Sequence, residues 1–212
     1  MNIIGELSES LQRGDTPRAV ELTRAALAAD LPVKTVLDEG LIAGMSVVGE
    51  RFKNHEIFLP DVLLAARAMI ASMEILKPLL IREGVSTLGK VVIGTVQGDL
   101  HDIGKNLVAI MLRGAGFEVI DLGNDVSPSL FVETAEREGA DVIGLSALLT
   151  TTMPVMKQVV ALARERRITG RTRIIIGGAP LSAAYAAEIG ADAYCFDGVS
   201  AVECVKRMVA GS

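Results

Sequence analysis

Lys90–Asn106 reads KVVIGTVQGDLHDIGKN, and the fold of the chain is decided in this stretch. Val91–Val96 is a short β-branched run, Gln97–Asp102 is polar, and from Ile103 the apolar residues recur at helical spacing. A strand that empties into a polar loop and then a helix is the first half of a βαβ unit. Working outward, the alternation repeats. Further strands are expected at Glu118–Asp121, Val142–Ser146, Arg173–Ile176 and Ala193–Phe196. Helices are expected at Ile103–Arg113, Pro128–Glu138, Pro154–Arg167, Ser182–Ile189 and Ser200–Val209. Near-continuous apolar strands with helices between them predict a five-stranded parallel sheet covered on both faces. Residues 88–212 therefore read as an α/β domain, doubly wound, of flavodoxin-like or Rossmann-like type.

Upstream the grammar changes. Fourteen of the 21 glycines lie between Gly89 and Gly198, and six precede Val85. Ile3–Leu11 reads as a helix. Thr16-Pro17 opens a second, with Asp15 or Thr16 as N-cap and Pro17 in the first turn, where its missing N–H is harmless. Leu31-Pro32 ends it and starts a third, running to about Arg51. A fourth begins at Pro60, with Leu59, Val62, Leu63, Ala66, Met69, Ile70 and Met73 at three-to-four spacing and Asp61, Arg67 and Glu74 elsewhere. Residues 1–87 thus read as a four-helix bundle, joined to the α/β domain by Glu83–Lys90.

Composition removes several functions. Lys and Arg number 21 against 26 Asp and Glu, for a net charge of −5, and seven residues are aromatic, none of them Trp. A nucleic-acid binder would show a basic excess and stacking aromatics. Two cysteines nine residues apart make neither a disulfide scaffold nor a zinc knuckle, and two histidines cannot build a multi-histidine metal cage. Any metal must arrive inside a cofactor or use few protein ligands. Met1–Asp15 lacks the basic start and apolar run of a signal peptide. The longest charge-free apolar stretch, Val142–Met156, falls short of the roughly 20 residues needed to span a bilayer. The expectation is a cytoplasmic protein that engages no membrane.

In doubly wound sheets ligands bind beyond the carboxyl ends of the strands, near the switch in strand order. Those tips are Gly98–Asn106, Ser146–Thr152, Gly177–Pro180 and Asp197-Gly198. The first loop carries no GxGxxG and no P-loop. It carries an imidazole, His101, two residues after a carboxylate, Asp99. That pairing suits a ligating histidine, whose second nitrogen needs an acceptor. It equally suits a loop histidine bonded to a carbonyl, with Asp99 capping the next helix.

Asp99–Gly104 fits DxHxxG, Ser146-Ala147-Leu148 fits SxL, and Gly177-Gly178 supplies a GG element. In this order, each at a strand tip, they resemble the cobalamin-binding domain of methionine synthase, the B12-dependent mutases and the corrinoid methyl carriers. Phe52 and Phe58-Leu59-Pro60, with the helix that follows, are similar to the helical cap of the methyltransferase branch. The resemblance implies that His101 is the lower axial ligand of cobalt, replacing the cofactor's own base in a base-off, His-on cobalamin such as methylcobalamin. It implies that Asp99 accepts the other imidazole proton. Thr152 stands where methionine synthase has a serine in this relay. Gly104, Ser146, Leu148, Gly177 and Gly178 would line the slot for the nucleotide tail. Gly98, Asp102, Ile103, Thr150 and Asp197 would complete the cofactor contacts. Phe52, Leu59 and Val62 would cover the upper face of the corrin.

By the same resemblance the chain is a carrier subunit of a cobalamin-dependent methyltransferase system. It would take a methyl group from a substrate-specific methyltransferase and give it to a second one, with tetrahydrofolate or a thiol as acceptor. A reductive activation protein would serve it, and Glu83–Lys90 would hinge the cap. A mutase cobalamin subunit would not need Phe52–Leu59. A B12-dependent sensor or regulator would share the cap and cofactor domain. A flavodoxin-like FMN protein would need a phosphate-cradling loop and aromatics that are missing. His55 reads as a solvated turn residue, Arg164–Arg173 as a solvated helix end, and Cys195 and Cys204 as buried free thiols.

Overall fold

The computed structural model describes residues 2–83 and 88–210, with the side chain of residue 81 left aside. Half of the expected hinge at Glu83–Lys90, residues 84–87, lies outside the described residues. Two compact units emerge: one comprises the chain before Leu88 together with Arg113–Gly116, the other Leu88–Leu112 and Phe117 onward. No described helix is long and apolar enough to cross a membrane.

The first unit holds α1 (Ile3–Gln12), α2 (Thr16–Ala28), α3 (Val33–Thr35), a π-helical stretch (Val36–Ile42), α4 (Ala43–Lys53) and α5 (Leu59–Arg82). Asp15 caps α2 by accepting from the Arg18 N–H at 3.1 Å, and Pro17 sits in its first turn. Leu7 and Leu11 of α1, Leu22 of α2, Leu41 and Met69 are fully buried. Each such side chain contributes roughly 1.5–3 kcal/mol of transfer free energy. A Cβ at Gly44 would stand 3.0 Å from the Ser8 carbonyl, so glycine eases the close approach of α4 to α1. The sequence implied one continuous third helix. The structure widens it to i→i+5 bonding over Val36–Ile42, the form taken by one extra residue in a helix.

The second unit alternates β1 (Lys90–Thr95), α6 (Ile103–Gly114), β2 (Glu118–Asp121), α7 (Pro128–Glu138), β3 (Val142–Ser146), α8 (Met153–Glu165), β4 (Arg173–Gly177), α9 (Ala183–Ile189), β5 (Ala193–Tyr194) and α10 (Gly198–Ala210). The five strands are parallel, in the order β2-β1-β3-β4-β5. Val92, Ile143, Leu145, Ile174 and Ile176 pack with Phe131, Met156, Val159 and Val160 as a core. The fold class read from the alternation is the fold observed. Strand β5 is shorter than Ala193–Phe196. Cys195 still donates to the Ile176 carbonyl at 2.9 Å, but Asp197 then accepts from the Ser200 N–H at 2.8 Å and opens α10. That turn leaves Phe196 81% exposed.

Candidate functional site

Register places the site. Thr95 lies opposite Ser146, and Ser146 opposite Gly177, so β1, β3 and β4 end level on one edge. Between β1 and β3 the strand order reverses direction, which opens a crevice at their tips.

Into that crevice β1 delivers Asp99. Gly98 makes the turn with φ of 84°, and its N–H donates to Asp125 Oδ1 at 2.7 Å. The Asp99 side chain is wholly buried and accepts five hydrogen bonds. Its Oδ1 takes the His101 N–H at 3.0 Å and His101 Nδ1 at 2.7 Å. Its Oδ2 takes the Leu148 N–H at 2.8 Å, the Leu149 N–H at 3.1 Å and the Thr152 hydroxyl at 2.9 Å. Burial alone would raise the Asp99 pKa. The bonds from His101 N–H, Leu148 N–H, the His101 ring and Leu149 N–H outweigh it and hold the carboxyl well below the usual carboxylate range.

A carboxylate fixed in this way orients the imidazole. With Asp99 ionised, His101 Nδ1 carries a proton and donates it, leaving Nε2 as the ring's lone-pair nitrogen. Nε2 has no hydrogen-bond partner among the described residues, and the side chain is 51% exposed. Thr95, buried at the end of β1, donates from Oγ1 to the His101 carbonyl at 3.1 Å and pins the residue from behind. Thr152 stands at the N-cap of α8, yet its hydroxyl caps nothing. It lies 2.9 Å from both Asp99 Oδ2 and the Leu149 carbonyl, and its one proton can serve only one of them at a time.

Beside His101 a cavity of about 630 Å³ opens along the strand tips. Of the residues expected at the cofactor, His101, Asp102, Ile103, Gly104, Ser146, Leu148, Gly177, Gly178 and Asp197 line it. Asp99 and Thr152 lie behind the imidazole, buried. Gly98 and Thr150 are exposed and outside the cavity wall, because Gly98 is consumed by the turn and Thr150 lies in the loop that carries Leu148 and Leu149 to Asp99. Gly178 has φ of 140°, and a Cβ there would fall 1.9 Å from the Ala147 carbonyl oxygen, so β3 and the turn after β4 touch through a glycine. A Cβ at Gly104 would meet nothing within 4 Å.

In the helical unit Phe52 is half-buried and Leu59 exposed, whereas Val62 is only 2% exposed. With so little exposed surface, Val62 offers less free area for covering a ligand than Phe52 or Leu59. Sequence reasoning missed Thr95, the amides of Leu148 and Leu149, and Lys105. Lys105 Nζ sits 2.6 and 2.7 Å from the Asp121 oxygens and 2.6 Å from Asn106 Oδ1, with its side chain 1% exposed. A lysine in the first turn of a helix opposes the helix dipole, and that was the available signal for a buried carboxylate partner. Among the described residues no group of three or more His, Cys, Asp and Glu side chains is placed to hold a metal ion.

Comparison with known proteins shows the family. Residues 89–206 match a model described as B12 binding domain, and residues 3–77 match a second model of the same description. A corrinoid protein of Desulfitobacterium hafniense (strain Y51) is 40% identical over 212 residues, covering 99% of this chain and 98% of the relative. Trimethylamine corrinoid protein 2 of Methanosarcina acetivorans is 42% identical over 210 residues, 98% of this chain and 95% of the relative. Among solved structures, the methanol:cobalamin methyltransferase complex MtaBC of Methanosarcina barkeri aligns with a TM-score of 0.88 at 30% identity, over 99% of this chain and 80% of that one. A chain matched along both of its halves in this way belongs to the B12-binding corrinoid proteins of methyltransferase systems.

Proposed function

We propose that this chain carries a methyl group on a corrinoid, accepting it from a substrate-specific methyltransferase and passing it to a second methyltransferase that methylates tetrahydrofolate or a thiol. A bound corrinoid would supply the metal that takes up and gives away the methyl group. The residues fit such a group on three counts. His101 offers Nε2 from a ring whose other nitrogen is tied to Asp99 at 2.7 Å. The apolar side chains of Leu100, Ile103 and Phe196 stand exposed beside it on the cavity wall, with Ile103 at 86%, as a flat macrocycle requires. The cavity is narrowed by no side chain at Gly104, Gly177 or Gly178, which suits a long tail lying against backbone.

The chain's own residues then have separate tasks. His101 would hold the metal from below in a base-off, His-on methylcobalamin. Asp99 keeps the proton on Nδ1, which fixes the tautomer and raises the donor strength of Nε2. Thr152 holds Asp99 Oδ2. Ser146, Asp197 and the glycines would receive the nucleotide tail, and Phe52 and Leu59 would cover the opposite face. The methyltransferase partner is supported by the likeness to a trimethylamine corrinoid protein and to the methanol:cobalamin methyltransferase complex. The cytoplasmic setting and a reductive activation protein are parts of the same proposal. The observation that carries it is the His101–Asp99 pair at the mouth of the cavity.

The test is reconstitution of the full chain with methylcobalamin and measurement of its visible spectrum. The wild type should show the base-off, His-on form, and His101→Ala should bind with the spectrum of a cofactor that has no nitrogen ligand below. An unchanged spectrum in His101→Ala overturns the ligand assignment.

A further inference from the structure

Among the described residues, four other than glycine hold a positive φ: Asp30, His55, Asp125 and Arg167. Asp30, His55 and Arg167 each stand one residue past the C-cap of a helix, at the ends of α2, α4 and α8, where a left-handed residue closes the last turn. Asp125, at 53°, ends no helix and lies between β2 and α7. The neighbouring strand explains its conformation. Thr95 donates to the Gly123 carbonyl and accepts from the Val126 N–H, each at 3.0 Å. A regular parallel ladder leaves one residue between two such partners. Here Asn124 and Asp125 both stand there, as a bulge beside the end of β1.

The bulge brings Asp125 onto the loop that carries Asp99. Its Oδ1 accepts from the Gly98 N–H at 2.7 Å, and its own N–H donates to the Asp99 carbonyl at 3.1 Å. Asp99 is thereby held from both neighbours of β1, which lies between β2 and β3 in the sheet. The loop after β3 takes its carboxylate through Leu148, Leu149 and Thr152, and the loop after β2 takes its backbone through Asp125. The carboxylate in turn holds His101 by its backbone N–H and by Nδ1. Five bonds converge on one carboxylate, so the Asp99 backbone must be fixed before all five can form together. Asp125 itself is exposed and does not line the cavity.

We infer that Asp125 is a positioning residue for His101: from the bulge after β2 it sets the Asp99 backbone, and through Asp99 the attitude of the imidazole toward a metal at Nε2. The metal half of this inference rests on the function proposed above, and the grip on Asp99 and His101 does not. Aspartate serves here through an oxygen acceptor and its tolerance of a left-handed φ, not through its charge.

Two variants of the full chain separate these roles. Asp125→Asn keeps Oδ1 and tolerates the same φ without the charge. Asp125→Gly keeps the φ and the backbone N–H but offers Gly98 no acceptor. Amide hydrogen exchange is measured without corrinoid. In chain loaded with methylcobalamin, the visible spectrum gives the acid midpoint at which the lower nitrogen ligand leaves. In Asp125→Gly the Gly98 and His101 N–H groups should exchange roughly fivefold faster, about the net contribution of one hydrogen bond, with Ile143 and Ile175 in the strands within about twofold of wild type. The acid midpoint should rise by about 0.7 pH unit, the same fivefold weakening expressed as a shift. Asp125→Asn should stay within about twofold in exchange and about 0.3 unit in midpoint. Exchange at His101 that is unchanged in Asp125→Gly, or raised no more than in the strands, overturns the positioning role. Faster exchange with an unmoved midpoint overturns its reach to the metal. Equal effects in the two variants overturn the acceptor as the cause. A chain that takes up no corrinoid overturns the proposed function and the metal half together, while exchange in the corrinoid-free chain decides the grip independently.

Discussion

Asp99 accepts five hydrogen bonds within a wholly buried setting, and three of the donors belong to the loop after β3. Replacing it by Asn turns one acceptor oxygen into a donor facing N–H groups. Hydrogen bonds to charged groups contribute about 1.5–3 kcal/mol each, so Asp99→Asn should lose roughly 3 kcal/mol or more in urea unfolding. The pH dependence has a definite sign. The folded pKa lies below the ordinary 3.8, so the stability Asp99 contributes is complete above about pH 4 and is lost as pH falls through the folded value. Between about pH 5 and pH 2.5 the wild type should therefore lose more stability than Asp99→Asn. Parallel curves would refute that assignment. Thr152 gives a gentler contrast: Thr152→Val removes one donor to the carboxylate and should cost about 1.5 kcal/mol, whereas Thr152→Ser keeps the hydroxyl and should stay within about 0.5 kcal/mol of wild type.

Among the elements, α6 depends on an ion pair at its first turn. Lys105 and Asp121 join the start of α6 to the end of β2, with the ammonium almost out of solvent. Lys105→Met leaves the carboxylate without its cation and should destabilise by about 3–5 kcal/mol, while Lys105→Met with Asp121→Leu should recover much of that loss. Equal denaturation midpoints for the single and double variants would refute the coupling. The turn after β4 makes a second demand. Gly178→Ala meets both an unfavourable φ and the Ala147 carbonyl, and should lose corrinoid binding at fixed concentration, read by spectral titration. These features also mark where sequence reasoning stops. The strands of the α/β unit were legible because β-branched runs alternate with helical periods, and His101 with Asp99 was legible from their spacing. The Lys105–Asp121 pair depends on a partner 16 residues away, and no local pattern announces the π-helical stretch. Val62 shows the same limit: helical period gives the apolar stripe of α5, but not that Val62 is buried while Leu63 and Leu64 remain exposed.

For the molecule as a whole, the proposed ligand would bind at the strand tips of the α/β unit, and linkage fixes what that would do. Corrinoid at 100 times its Kd should raise the unfolding free energy by about 2.7 kcal/mol. Hydrogen exchange should show the added protection at the ends of β1, β3 and β4 and at the N–H groups of His101, Leu148 and Leu149. Protection spread evenly along the strands, with none concentrated at these ends, would oppose a binding site at the tips.

The level ending of Thr95, Ser146 and Gly177 has an evolutionary reading. A single-residue deletion inside β3 would draw its tip back by about 3.3 Å and turn its side chains to the opposite face. The Leu148 and Leu149 amides would then miss Asp99, and the imidazole would lose its anchor. Strand length is therefore locked along this edge, and relatives that diversify should vary in the loops and helix ends, where insertions leave the alignment of the three tips untouched.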